Sequence, residues 1–262
     1  MQADFAKTIP ITNAKELRVV FLGMDLQILD ALRRCPIHLL GAYIPPPVPY
    51  EYHTYPPLFL KLVSRFMMKK RLRTAAVYSS LDRFLSQSGI PPLKARGVNT
   101  DAFQQILTKR NTDLGIVANF GQILGTRLLT IPRYGFINFH PSLLPKYRGP
   151  TPLGHILLHG ERISGVTWHK VTEKPDQGGI LAQAQFDVHP HETVKTLERK
   201  AVSTAIELLE PMLQRIAREG VMPQPQPQDE ALATYFPKLT QNEKMLLSEM
   251  EQRHTCAPPI TG

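Results

Sequence analysis

The chain has 262 residues, with 31 Lys and Arg against 22 Asp and Glu, and so a formal charge of +9. At 42% hydrophobic and 20% charged residues it has ample apolar material for a core, in one large domain or a domain with an appendage, and too little net charge for a disordered chain. Its 16 Gly and 24 Pro are too few for a collagen-like or low-complexity protein.

The N-terminal run MQADFAKTIPITNAKELRVV lacks the apolar core of a signal peptide, and no stretch approaches the roughly 18 apolar residues of a membrane span. A cytoplasmic setting with no membrane partner is expected. The first strand signal is LRVVFLG, residues 17–23, followed by DLQILDALRR with helical spacing, which together make a βα unit. IHLLGAYI, residues 37–44, is a fully apolar run suited to a buried parallel strand, and a Pro-rich loop follows through Pro45, Pro46, Pro47 and Pro49. Residues 61–73 then hold six cations and no acid, namely Lys61, Arg65, Lys69, Lys70, Arg71 and Arg73. With Leu60, Val63, Phe66 and Met67 at helical spacing, this segment reads as a basic amphipathic helix or lid. It is either a solvated surface or an electrostatic landing site for a phosphorylated ligand or nucleic acid.

Leu81 to Ser88 has helical character before Gly89, GIPPLKA is a short extended stretch, and Asp101 to Lys109 is a helix with Thr100 as its N-cap. DLGIVANF, residues 113–120, and YGFINFH, residues 134–140, are further strands. Residues 152–159 form a short helix, and the β-rich segments SGVTWHKV and GGILAQAQFDV are joined by the loop TEKPDQG. From Thr193 to Glu219, Val194, Leu197, Ala201, Ala205, Leu208, Met212 and Ile216 form one stripe of a long helix, capped at Thr193, kinked at Pro211 and stopped at Gly220. MPQPQPQDE is an extended linker, and Gln241 to Arg253 is a short helix whose segment either docks on the core or mediates a homodimer. Strands alternating with helices define an α/β protein with an open, mostly parallel sheet and helices on both faces.

Several familiar chemistries are excluded. The first βα turn, FLGMDLQ, has Gly23 alone and neither a GxGxxG nor a Walker A pattern, so a dehydrogenase or P-loop enzyme is not expected. His155 and His159 have metal-ligand spacing, but HILLH lacks the Glu of HExxH; they read as surface or packing residues, and His189 and His191 as surface residues. Cys35 and Cys256 belong to no CxxC or Cys/His cluster, so no disulfide scaffold and no metal site is expected.

The run that departs from ordinary scaffold is NFHPSLLPKYRG, residues 138–149, directly after a buried-type strand. Ligands of open α/β sheets bind beyond the C-terminal strand ends, which is where Asn138 and His140 emerge. Residues two apart on a strand share a face, so Asn138 and His140 point together while Phe139 points into packing. An amide donor beside an imidazole suits acyl transfer, Asn holding a developing oxyanion and His stabilising it or moving a proton. Asp176, in KPDQGG, is the candidate carboxylate to orient or charge the imidazole. Spacing alone leaves open a capping Asn, a packed His and a turn Asp.

NFHPSLLPKYRG, with SGVTWHKVTEKPDQGGILAQ downstream, resembles the folate-dependent formyltransferases, the group of methionyl-tRNA, glycinamide ribonucleotide and sugar N-formyltransferases. The resemblance extends over roughly residues 17–240, since IVANFGQIL is similar to the folate-pocket strand of that family and ATYFPKLT to its post-core segment. It implies a Rossmann-like catalytic domain over residues 1–220, with 221–262 a linker and C-terminal extension without an OB-type barrel. It implies Asn138, His140 and Asp176 as the catalytic set and N10-formyltetrahydrofolate as formyl donor. The folate site then comprises Gly121, Gln122, Ile123 and Leu124, with Ser142, Leu143, Leu144 and Pro145, and the loop of Thr172, Glu173, Lys174 and Pro175.

For the acceptor, the chain departs from the tRNA enzymes of the family. Its first turn reads GMDLQI where theirs is similar to GTPDFA, and the basic segment 61–73 stands in place of their acceptor-arm loop. A small-molecule amine is therefore expected, phosphorylated or nucleotide-linked, such as a nucleotide-linked amino sugar, or else a biosynthetic amino acid. Methionyl-tRNA, served by a truncated tRNA enzyme, is the second reading. A folate deformylase is disfavoured because only about 16 residues precede the first strand, where such enzymes resemble this chain plus an N-terminal regulatory domain. A catalytically silent folate- or partner-binding module has no use for all three of Asn138, His140 and Asp176.

Overall fold

A computed structural model describes residues 16–45 and 78–255. Most of the Pro-rich loop and all of the basic segment 61–73 lie outside the described residues. In chain order the elements are β1 (Arg18–Gly23), α1 (Leu26–Arg34), β2 (His38–Tyr43), a helix α2 over 78–88, α3 (Asp101–Lys109), β3 (Leu114–Ala118), α4 (Thr126–Leu129) and β4 (Phe136–His140). There follow α5 (Pro152–Leu158), β5 (Ile163–Lys170), β6 (Ile180–Asp187), α6 (Val194–Glu219) and α7 (Gln241–Thr255).

The six strands form one sheet in the order β2-β1-β3-β4-β5-β6. β2, β1, β3 and β4 run parallel, whereas β5 pairs antiparallel with β4 and β6 antiparallel with β5. The parallel part matches its sequence. β1 is buried from Val19 onward and β3 throughout, as expected of strands covered on both faces. The helix starts are set by side chains: Asp25 accepts from the backbone N–H of Gln27 and Ile28 at the head of α1, and Thr100 from Phe103 at the head of α3.

Alternation divides the strands between two cores. On one face Val19, Phe21, Ile116, Ile137, Phe139, Val166 and Trp168 pack against α1 and α6. Trp168 is fully buried, and its indole N–H donates to the carbonyl of Ala205 in α6 at 2.9 Å. Removing a ring of that size from water contributes on the order of 5 kcal/mol of transfer free energy. Helix α6 begins at Thr193 in a reciprocal bond with Thr196, runs through Pro211 without ending there, and stops at Gly220. Its buried stripe includes Val202, Leu209 and Leu213 beside Leu197, Ala201, Ala205, Met212 and Ile216. Leu208, assigned to that stripe from spacing, is only partly buried, because 3.6 residues per turn rotate Leu209 into the centre of the contact.

The other face is apolar only in part. Val20, Leu22, Leu40, Val117 and Phe136 pack with Phe103 and Leu107 of α3 and with Leu128 of α4. Farther along this face, β4 and β5 present Asn138, His140, Thr167 and His169, and loops cover them in place of a helix.

A third cluster joins Leu153, Ile156 and Leu157 of α5 to Leu197 of α6 and Leu247 of α7. The segment after residue 240 therefore docks on the core. Between α6 and α7, residues 221–240 form a strap that is extended apart from a 3-10 turn at Glu230–Leu232. Gln226 exchanges two backbone hydrogen bonds with Ile180 at 2.7 and 2.8 Å, and Arg148 and Phe236 pair at 2.9 Å.

Candidate functional site

The register of β4 against β5 sets Asn138 opposite His169 and His140 opposite Thr167. Asp176 arrives from the loop after β5, which folds back over the strand it has just left. That return is tight: a Cβ on Gly178 would lie 1.8 Å from the carbonyl oxygen of Lys170, so only glycine fits there. Asn138, His140 and Asp176, chosen from the sequence, are thus brought together, with His169 as a fourth member.

The hydrogen bonds assign the imidazoles. His140 Nε2 lies 2.8 Å from the carbonyl oxygen of Tyr147, a pure acceptor, so Nε2 carries a hydrogen and Nδ1 is the atom turned to Asp176 Oδ1, at 3.5 Å. His169 Nδ1 donates to the carbonyl oxygen of Lys170 at 2.9 Å. Its Nε2 is therefore a lone pair, and it accepts from Asn138 Nδ2 at 3.1 Å, with Asp176 Oδ1 at 3.8 Å. Burial, reinforced by the neighbouring His140, pushes the His169 imidazole down to about 4 despite Asp176, so His169 is neutral near pH 7. A neutral His169 orients the Asn138 amide and occupies one of its two N–H groups, leaving the other for a ligand.

The surroundings are rigid. Asp176 Oδ2 accepts the Gly149 N–H at 2.9 Å, which ties the loop after β5 to the loop after β4. Thr167 Oγ1 donates to the Ser142 carbonyl at 2.7 Å and accepts from Leu144 N at 3.1 Å, and Gln183 donates to both Leu144 O and Thr167 Oγ1. The side chains of His140, His169 and Asp176 are 5%, 3% and 15% exposed, so their mutual electrostatics are little screened by water.

The residues expected around a folate are distributed along the rim. Gly121, Gln122 and Ile123 are exposed just past the end of β3, with Ile123 64% exposed, and the backbone there is held by Asn99, which donates to Ile123 O and accepts from Gly125 N. The side chain of Leu124 is buried in the α3–α4 core and that of Leu144 is also buried, so these two offer a ligand backbone and not side chain. Ser142 is fully buried with its hydroxyl on the Lys146 carbonyl, while Leu143 and Pro145 are partly exposed. Thr172, Glu173, Lys174 and Pro175 are exposed on the loop that carries Asp176.

His169 was absent from the sequence-derived set. Its signal is the alternation of Thr167 and His169 about Trp168, which matches Asn138 and His140 about Phe139, but only the strand pairing turns two alternations into one site. His155 and His159 are packing and surface residues as expected: His155 is buried, 3.0 Å from the Pro237 carbonyl, His159 is exposed, and both rings lie within 5.0 Å of the Phe236 ring centre. Among the described residues no group of three or more His, Cys, Asp or Glu is placed to hold a metal. Among them, too, no helix is long and apolar enough to cross a membrane.

The open α/β sheet brings an amide, an imidazole and a carboxylate together at a strand end, and residues 63–212 match the formyl transferase family. The chain belongs to that family. Among curated relatives it is 38% identical over 173 residues to the methionyl-tRNA formyltransferase of Syntrophus aciditrophicus, covering 66% of this chain and 54% of that protein. It is 29% identical over 202 residues to the methionyl-tRNA formyltransferase of Thermotoga neapolitana, covering 71% and 64%. The chain thus spans under two thirds of these relatives' lengths. Its fold is similar to that of glycinamide ribonucleotide transformylase 1 from Symbiobacterium toebii, with a TM-score of 0.59, 22% identity, and coverage of 86% of this chain and 99% of that one. It is also similar to WlaRD, a sugar 3N-formyl transferase, with a TM-score of 0.60, 15% identity, and coverage of 86% and 70%.

Proposed function

We propose that the chain is an N-formyltransferase that moves the formyl group of N10-formyltetrahydrofolate to an amine. The observation that carries this reading is the oriented Asn138–His140–Asp176 set at the C-terminal end of β4, with His169 neutral behind it, in a member of the formyl transferase family.

When bound, the folate supplies the formyl carbon that the amine attacks. Asn138 and His140 are the groups that meet the charge developing on the formyl oxygen. One Asn138 N–H is spent on His169 and the other is free to donate. His140 Nε2–H is spent on the Tyr147 carbonyl, so the proton it offers sits on Nδ1. Nδ1 lies 3.5 Å from Asp176 Oδ1, longer than a usual N–H···O hydrogen bond, which leaves its proton available to an oxygen entering between them. Asp176 stands beside His140, and its carboxylate, through a water, accepts the proton that leaves the attacking nitrogen.

A small-molecule amine is the first reading for the acceptor. In the GMDLQI turn the Asp25 carboxylate is occupied by the N-terminal amides of α1 at 3.0 and 2.9 Å, so the turn is built to start its own helix. Methionyl-tRNA is the second reading, favoured by the names of the curated relatives. The test is tetrahydrofolate release from N10-formyltetrahydrofolate in parallel with nucleotide amino sugars, hydroxyornithine-like amines and methionyl-tRNA, plus an acceptor-free control. Release with one amine alone is expected and names the acceptor class. Release without acceptor indicates a hydrolase, and silence with folate still bound overturns the transferase reading in favour of a binding module.

A further inference from the structure

Behind the catalytic set lies a buried cation that the chemistry above does not use. The Arg148 side chain is 5% exposed and grips Glu230 with both terminal nitrogens, at 2.9 and 2.6 Å. Its Nε and one terminal nitrogen also donate to Gln228 Oε1, at 3.1 and 2.7 Å. Arginine has no acceptor, so Gln228 must turn its oxygen to Arg148 and its NH2 the other way. That NH2 donates to two carbonyls of the Asp176 loop, Asp176 O and Gly178 O, both at 2.8 Å.

Asp176 has a φ of +57°, in the left-handed region that Asp adopts more readily than most side chains. Gly149 N–H holds its carboxylate, and the Gln228 bonds fix the backbone beneath it. The 141–149 loop is fastened to the same strap: a Cβ on Gly149 would lie 2.0 Å from the Phe236 carbonyl oxygen, so only glycine allows the strap that close.

We propose that Gln228 is a positioning residue for Asp176: its amide locks the Asp176–Gly178 turn, its orientation is dictated by Arg148, and the strap thereby sets the carboxylate against His140. The kinetic part of this inference rests on the formyl-transfer reading, while the geometric part does not.

The test compares Gln228→Glu, which keeps an oxygen for Arg148 but offers the two carbonyls no donor, with Gln228→Met, which keeps length alone, each in wild-type and Asp176→Asn backgrounds. In the wild-type background both variants are expected to lower kcat by about 10- to 100-fold with the donor KM within about twofold, because a misplaced group costs rate and not binding. In the Asp176→Asn background they should change the residual rate by less than about twofold, since the two substitutions then remove one function. Equal losses in both backgrounds, or a loss confined to KM, would overturn the proposal. Independently of turnover, the ring-nitrogen chemical shifts of His140, assigned by their loss in His140→Gln, should move in both Gln228 variants toward their Asp176→Asn values. Shifts that stay at wild-type values overturn the positioning role. Shifts that move in a protein that transfers formyl to no acceptor leave the positioning role standing and overturn the transferase reading.

Discussion

Two pairs of histidines lie in this chain with their ring centres 6.3 Å apart in each case, His140 with His169 and His155 with His159. By spacing in the sequence the second pair is the more eye-catching, since it occupies two successive turns of one helix. The surroundings separate them. His140 and His169 cross edge to face between an Asn amide and an Asp carboxylate. His155 and His159 lie nearly parallel against Phe236, with Pro237 and Tyr147 taking their ring nitrogens. A histidine's surroundings are thus read at both ring nitrogens: in the first pair each ring spends one nitrogen on a backbone carbonyl and turns the other to Asp176 or Asn138, whereas the bonds of the second pair run to a backbone carbonyl and a phenol.

The largest expected effect breaks the first pair. His140→Ala should lower kcat for formyl transfer by about 10²- to 10⁴-fold while leaving folate binding within about twofold, measured by single turnover and by equilibrium binding. A variant as fast as wild type would remove His140 from the chemistry.

The next prediction sharpens the comparison through protons. His169 titrates at about 4 in the folded protein against about 6.5 unfolded, so between those values the unfolded chain binds the additional proton. Its contribution to stability is therefore full above pH 6.5 and falls as pH drops toward 4. Urea unfolding of wild type and His169→Gln from pH 4 to 7 should show their difference changing with pH in this sense. Parallel curves would mean that His169 is not held neutral by the fold.

The smallest effect belongs to the second pair. His155→Ala should cost about 1–3 kcal/mol of stability, through the hydrogen bond to the Pro237 carbonyl and the lost packing on Phe236, with kcat within about twofold of wild type. A catalytic defect as large as that of His140→Ala would erase the distinction between the pairs.

What the sequence discloses follows the range of the interaction. The βα units, the caps Thr100 and Thr193, and the pairing of Asn138 with His140 depend on neighbours a few residues apart, and each is legible. Asp176 is 36 residues beyond His140 and is reached through the motif around it, since no spacing rule connects a strand end to a later loop. His169 stays hidden because its role requires that β5 run antiparallel to β4 in one particular register. Gln228 and Glu230 are hidden further. Read locally, MPQPQPQDE is a polar, Pro-rich linker, and only the folded chain shows that it fastens an arginine 80 residues upstream. Leu209 replaces Leu208 at the centre of the α6 stripe for the milder reason that a helix period is not a whole number.

The strap also orders events in time. Synthesis runs from the N-terminus, so Asn138, His140 and Asp176 are all polymerised before residues 226–236 exist to brace them. Until that last stretch arrives, the Asp176 turn lacks the two hydrogen bonds that Gln228 donates to it. The bracing of the Asp176 turn is therefore completed by a residue 52 positions further along the chain.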